Sequence, residues 1–365
     1  MKIFVTGTRG IPDIPGGVEK HCQELYPRIV AGGHQVLLST RTPYLNEHLV
    51  QWKGVKLVPI YAPRVKSLEA IIHTTLSLIK ALFYRPDLVH IHAIGPALVT
   101  PLARLLGFKT VITHHGPDYD RAKWGKAARF MLRLGEKLGG RWADEVIVIS
   151  PVIAEIIQKR CNRDSSLIYN GVDLPRISSN TSYLRKMNIR PGKYILAVAR
   201  FVHEKGLHDL IRAFGSLQED MQLVIVGDAD HESEYSRQLK AEVLQDPRII
   251  LTGYIKGENL NQVFSHAKLF VLPSYHEGLP IALLEAMSYG HTVLVSDIPA
   301  HLQVGLPERC YFCLGDTQDL ADKITSLSDS PISEKELEKI RQVIQEKYNW
   351  DKIADQTIEV YRKIL

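Results

Sequence analysis

The sequence predicts an α/β protein of two Rossmann-like domains facing a central cleft. Two observations carry this. Strand-like and helix-like segments alternate along the chain, the pattern of parallel sheets. There are two such series, parted by the polar, proline-containing stretch LPRISSNTSYLRKMNIRPG, which suits a linker. A chain of 365 residues can supply two substantial cores. Residues 1–175 are expected to form the first domain and 176–349 the second, with a C-terminal helix over 350–365 packing back on the first. In doubly wound domains, ligands bind beyond the carboxyl ends of the strands, which places the expected site in a shared crevice.

The elements follow in order. KIFVTG opens the first series, GVEKHCQELYPRIVAGG reads as a helix and HQVLLST as the next strand. VKLVPI, the helix-like SLEAIIHTTLSLIKALFY and the strand DLVHIHA follow. PALVTPLARLLG is a helix, and KTVITHH and DEVIVIS are strands. NGVD is a turn signal, so Asn170 is expected at a turn near the domain hinge. The second series runs KYILAVAR, GLHDLIRAFGSL, MQLVIVGD, SEYSRQLKAEVLQ, IILTGYI, NLNQVFSHA, KLFVLPS, PIALLEAMSYG and TVLVSD. WDKIADQTIEVYRKIL is the last amphipathic helix.

Composition excludes several classes. The chain is 45% hydrophobic and 23% charged, ordinary for a globular protein. No apolar run is long enough for a transmembrane helix, and MKIFVTG begins as a strand rather than a signal peptide. Four cysteines fit a reducing compartment, hence the cytoplasm, and the lone CxxC of Cys310 and Cys313 reads as packing rather than zinc binding.

The net charge of +5 divides into +9 over residues 1–175 and −4 over the rest. The densest basic stretch places Arg121, Lys123, Lys126, Arg129, Arg133, Lys137 and Arg141 among Trp124, Phe130, Met131, Leu132, Leu134 and Leu138. Such a helix is either a core helix with a solvated basic face or one that lies on an anionic membrane. No base-reading motif accompanies the charge, so nucleic acid is not an expected partner.

The glycines exclude one ligand and admit another. GTRGIPDIPGGVE is not GxGxxG, and no acidic residue stands where a dinucleotide ribose would need it. Gly16 and Gly17 ahead of a helix still allow backbone to approach a phosphate. In VARFVHEKG, Arg200 ends a strand and Lys205 stands on the following loop, a cation pair suited to a diphosphate without a metal. EGLPIALLE sets Glu277 before a helix expected from about Pro280 to Tyr289, with Glu285 within it. Carboxylates accept strongly from hydroxyls, so two of them around an anion site suit a nucleotide sugar. A capped surface helix with an incidental acid at each end is the structural alternative.

Together these segments resemble the retaining, nucleotide-sugar-dependent glycosyltransferases of family 4, which have the GT-B fold. GTRGIP…GGVE, DLVHIH, THHG, ADEVIVIS, YNGVD, VARFVHEKG, IVGD, LTGY and SYHEGLPIALLEAMSYG stand in the family's order. The opening and the HGPDYDRAKWG segment look most like the bacterial cell-envelope branch that includes rhamnosyltransferases. Where that branch is expected to carry aromatic residues around Gly16 and Gly17, this chain has Pro15 and Val18.

The resemblance implies roles. Arg200 and Lys205 would bind the donor diphosphate, Glu285 the ribose hydroxyls and Glu277 the transferred sugar. Gly278, Leu279 and Pro280 would line the sugar pocket, Gly16 and Gly17 would close over the phosphates, and His115 would contact the sugar. Gly227, Tyr254 and Ile255 would frame the base. The acceptor would be a saccharide or lipid-linked saccharide, and the protein would be cytoplasmic or peripheral on the inner face of a membrane.

Family analogy puts neither Glu277 nor Glu285 behind the sugar ring, so same-face substitution is expected, with His115 orienting rather than acting as an obligatory base. No cofactor or metal is expected, because alternation along strands divides His90, His92, His114 and His115 between faces. The alternatives are a GT-B sugar-nucleotide 2-epimerase and a non-catalytic nucleotide-sugar-binding protein.

Overall fold

The computed structural model describes all residues except 45–48, 65–68, 121–124, 218–219 and 230–231. Two compact units result, Met1–Gly171 with Tyr348–Leu365, and Val172–Lys347. Unit 1 contains β1 (Lys2–Thr6), α1 (Gly17–Ala31), β2 (Gln35–Arg41), β3 (Gln51–Trp52), β4 (Val55–Ile60), α2 (Glu69–Tyr84) and β5 (Leu88–His92). It continues with α3 (Thr100–Leu105), β6 (Lys109–His114), α4 (Lys126–Trp142), β7 (Glu145–Val148), α5 (Pro151–Cys161) and β8 (Ser166–Leu167). Its sheet has the order β3-β4-β2-β1-β5-β6-β7-β8, parallel except for β3.

Unit 2 contains α6 (Ser182–Lys186), β9 (Tyr194–Val198), α7 (Leu207–Gly215), β10 (Gln222–Val226), α8 (Glu234–Val243), β11 (Ile249–Gly253) and α9 (Gly257–Ser265). β12 (Leu269–Leu272), α10 (Ile281–Ser288), β13 (Val293–Ser296), α11 (Pro299–Leu302), β14 (Tyr311–Phe312), α12 (Thr317–Asp329) and α13 (Glu334–Lys347) complete it. Its sheet is parallel with the order β11-β10-β9-β12-β13-β14. α14 (Trp350–Ile364) returns to unit 1, where Trp350, Ile353, Ala354, Ile358 and Tyr361 join the core of Ile3, Val5, Leu25, Tyr26 and Leu38.

Central strands such as KIFVT, LVHIH and YILAV are apolar because helices cover both faces of a parallel sheet. Both sheets have a switch point. The chain leaves β1 toward β2 and later returns to lay β5 on the other side of β1. β9 likewise has β10 on one side and β12 on the other. Loops diverge there, which opens a crevice at the strands' carboxyl ends.

The basic helix packs differently from the leucine-faced helix that its sequence suggests. α4 buries Gly135, Glu136, Gly139 and Gly140, and a methyl group on Gly135 would stand 2.1 Å from the Ile94 carbonyl oxygen. Leu132, Leu134 and Leu138 are half-buried, while Lys126, Arg129, Phe130, Met131, Arg133, Lys137, Arg141 and Trp142 are exposed. Arg121, Lys123 and Trp124 lie outside the described residues.

Candidate active site

In unit 2 the site grows from the two strands that flank the switch point. β9 ends at Val198, and the next residues lead through Arg200, half-buried, to a turn over His203–Lys205. Gly206 caps α7 with φ +63°, and a Cβ there would lie 2.0 Å from the Pro273 carbonyl oxygen. Only glycine tolerates both conditions, so the loop after β9 rests on the chain leaving β12. The Tyr275 amide donates to the Glu204 carbonyl at 2.9 Å and fastens the two loops together.

That contact brings Lys205 onto Glu277. Their side chains are ion-paired, with 18% and 9% exposure. The Ser274 hydroxyl also donates to the Glu277 carboxylate at 2.8 Å. Ser296 donates to the Ser274 carbonyl at 2.5 Å, and His301 donates through Nδ1 to the Ser296 carbonyl at 2.9 Å. Burial pushes the Glu277 carboxyl up, yet the Lys205 charge and hydrogen bond, His301 and Ser274 together hold it below its ordinary value. His301, wholly buried, is pushed down to about 4 by that burial. Glu277 is therefore an ionised carboxylate in a dry setting, with its charge matched by one ammonium.

Gln303 donates to the Gly278 carbonyl at 3.3 Å, Leu279 is buried, and Pro280 accepts from the Leu283 amide at 3.1 Å as the cap of α10. The helix thus begins one residue later and ends one earlier than expected. Glu285 is half-buried on α10, close enough that its charge adds to the burial that pushes the Tyr289 hydroxyl up to about 12. Gly227, at φ +127°, would set a Cβ 2.1 Å from the Ala199 carbonyl oxygen. Its amide bonds Gly253 at 3.0 Å, next to Tyr254, which is 53% exposed, and Ile255. Arg200, Lys205, Gly227, Tyr254, Ile255 and Glu277–Pro280 therefore gather at the carboxyl edge of one sheet, with Glu285 on the helix behind.

Unit 1 has its own switch-point cluster. Gly7, after β1, has φ +99°, and a Cβ would stand 2.2 Å from the His92 carbonyl oxygen. Gly16 caps α1 at φ +146°, where a Cβ would meet Glu19 Oε2 at 2.0 Å, while Gly17 borders open space. The Glu19 carboxylate, buried, accepts from the Arg9 guanidinium at 3.1 and 3.2 Å and from the Arg9 amide at 3.1 Å. That pair holds the GTRGIP…GGVE loop in shape.

His115 follows β6 and shares a 2.8 Å hydrogen bond through Nε2 with His92 Nδ1. Tyr26 lies 2.5 Å from His92 Nε2. His21, from α1, bonds Asn170 Oδ1 at 2.9 Å. Burial pushes His21 down to about 4 and His90 to about 3, and burial with neighbouring imidazoles holds His92 and His115 well below the ordinary value. His115 is therefore a neutral imidazole.

Two expectations need correction. Asn170 is no turn residue; it is buried and hydrogen-bonded across 149 positions of sequence to His21. Alternation does send His114 away, to Glu136 at 3.0 Å. It does not separate His92 from His115, and His21 joins them from another element. Ser274, Ser296 and His301 carried no local signal, because the chain of hydrogen bonds from Glu277 to His301 is joined by a contact that spans 22 positions, between Ser296 and Ser274. The turn signal of NGVD masked the long-range bond of Asn170.

Family models match nearly the whole chain in two parts. Residues 15–176 match the Glycosyltransferase Family 4 model, and residues 181–350 match Glycosyl transferases group 1. An uncharacterized glycosyltransferase of Methanocaldococcus jannaschii is 25% identical over 393 residues, covering 99% of this chain and 98% of that protein. The sucrose-phosphate synthase of Thermosynechococcus elongatus superposes with a TM-score of 0.86 at 23% identity, over 99% of this chain and 98% of that one. Anabaena HepE in complex with UDP-glucose superposes with a TM-score of 0.81 at 16% identity, over 99% of each chain. The chain is a GT-B glycosyltransferase, built from a family 4 domain followed by a group 1 domain.

Proposed function

We propose that this protein moves a sugar from a nucleoside diphosphate sugar to a saccharide or lipid-linked saccharide acceptor, with retention, without a metal, in cell-envelope polysaccharide synthesis. The observation that carries the reading is the convergence of Lys205 and Glu277 at the switch point of the group 1 domain. An ammonium and a hydroxyl-accepting carboxylate on touching loops match a diphosphate joined to a sugar. The HepE protein, similar in fold, binds UDP-glucose, which supports the donor class. Breaking the anomeric C–O bond places charge on the diphosphate, and fixed cations from Arg200 and Lys205 stabilise it. The leaving phosphate oxygen takes the acceptor proton on the same face. Neutral His115 orients a sugar hydroxyl and is not the base.

A donor screen with UDP-, GDP-, ADP- and dTDP-sugars by thermal shift finds the nucleotide, and a labelled donor then reports the product. Transfer to an acceptor with the anomeric configuration kept, in the presence of EDTA, is the expected result. Isomerised donor would make the protein an epimerase, and donor binding without reaction would make it a binding protein.

A second reading concerns where the acceptor is met. No helix among the described residues is long and apolar enough to cross a membrane. Yet α4 exposes Phe130 and Met131, 66% and 38% accessible, beside Arg129 and Arg133. Cations flanking exposed apolar side chains suit an anionic leaflet, which attracts each basic residue by about 1 kcal/mol. Binding to anionic but not neutral vesicles, weakened by salt and by charge reversal at Arg129 and Arg133, is expected. Equal partitioning to both vesicles, or none to either, rules the contact out.

A further inference from the structure

We propose that His21, His92 and His115 form a binding site for one divalent transition-metal ion of the zinc class, and that the ion, when bound, inhibits the enzyme. One ligand nitrogen from each ring lies within 4.8 Å of the others. His92 Nδ1 and His115 Nε2 are 2.8 Å apart. Nitrogens around a tetrahedral ion at about 2.0–2.1 Å stand roughly 3.3 Å from one another. The His92–His115 pair must therefore open slightly and His21 close in by at most about 1.5 Å on binding. Three imidazoles with a fourth position left to water form a donor set that zinc, cobalt and nickel accept.

The outer partners also fit. A metal-bound histidine ordinarily donates its other ring N–H to an oxygen that fixes the ring. Asn170 Oδ1 accepts from His21 Nδ1 at 2.9 Å, which leaves Nε2 as the ligating atom. The Tyr26 hydroxyl stands 2.5 Å from His92 Nε2, which leaves Nδ1 facing His115. Two of the three rings thus have their outer nitrogens held. His21 and His92 are buried, and His115, half-buried, gives the ion an entry path.

Binding of the ion does not depend on the donor reading, whereas inhibition rests on it, because His115 is the one ligand that the site shares with the proposed transfer chemistry.

The test uses the EDTA-stripped full chain and the metals alone. Calorimetric titration with Zn²⁺ should show one ion per chain. Co²⁺ should develop the intense visible bands of a four-coordinate complex. His21→Gln should weaken binding at least about 10-fold, and Asn170→Ala about 10- to 100-fold through the lost outer bond. His266→Ala, outside the cluster, should bind as the parent does. If His21→Gln fails to fold, His115→Ala supplies the same comparison. Absence of saturable one-to-one binding, the weak bands of octahedral Co²⁺, or affinity unchanged in the ligand variants would overturn the proposal.

Discussion

Replacing Lys205 by Met, alone and together with Glu277→Gln, separates a structural ion pair from a catalytic one. The two side chains keep 18% and 9% of their exposure, so the pair is largely dry. Removing one member of such a pair costs about 3–5 kcal/mol, because the other charge stays buried without its counterion. In Lys205→Met the Glu277 carboxyl keeps the Ser274 hydroxyl at 2.8 Å but loses the ammonium that offsets its burial. Its pKa should then rise above the ordinary carboxylate value. The double variant has no orphan charge and should recover to within about 1–2 kcal/mol of the parent. Turnover should behave otherwise. Losing a contact that strengthens as the diphosphate departs costs about 100-fold or more in kcat, and neutralising Glu277 cannot restore it. Urea denaturation and initial rates on the parent and these two variants give both quantities. Stability and turnover recovering together in the double variant would refute the catalytic assignment and leave a fold-stabilising pair.

Glu285→Gln should raise KM for the donor with kcat little changed, whereas Glu277→Gln should lower kcat, because ribose contacts hold ground and transition states nearly alike; steady-state kinetics showing the reverse would exchange the two roles. Gly206→Ala should cost about 2 kcal/mol or more and lower turnover, since φ +63° and a Cβ 2.0 Å from the Pro273 oxygen both oppose it; denaturation matching the parent would show that the loop does not rest on β12. Acid should destabilise early. Burial lowers His21, His291 and His301 from 6.5 to about 4 and His73 and His90 to about 3. The unfolded chain therefore binds more protons below pH 6.5, and stability falls as pH drops toward 4 by a little over 1 kcal/mol per unit per ring. A urea midpoint unchanged between pH 7 and 5 would contradict this.

The strands were legible because parallel strands covered on both faces are apolar runs, as in KIFVT and LFVL. The EGLPIALLE loop and helix were legible because proline marks where a helix starts and glycine where it stops. The two-residue strands β3 and β8 are too short for periodicity to report. α4 misled because its sequence offers leucines, whereas the segment that follows β5 takes its glycines, which allow backbone within contact of Ile94 and Ala97. The site's supporting groups were hidden for another reason. Ser296 reaches Ser274 across 22 positions, and Glu277 and Lys205 meet across 72. A local pattern can place a residue on a loop, but the partner is chosen by sheet order.

Sheet order also explains why two halves without a close sequence repeat build their clusters in one way. In unit 1 the loop after β1 presses Gly7 onto the His92 carbonyl at the end of β5, the strand across the switch point. In unit 2 the loop after β9 presses Gly206 onto the Pro273 carbonyl just beyond β12, again the strand across the switch point. Any Cβ at either glycine would lie within 2.2 Å of a carbonyl oxygen, so each contact holds the two diverging loops at backbone distance. Side chains that start from touching backbones meet whatever their separation in sequence. That is how His21, on the helix that follows the β1 loop, comes against His92, and how Lys205 comes against Glu277, whereas His115 meets His92 from β6, the strand paired directly with β5. The glycines contribute no chemistry to either cluster. Their missing side chains set the spacing on which that chemistry depends, so a substitution there should act at a distance on residues it never touches.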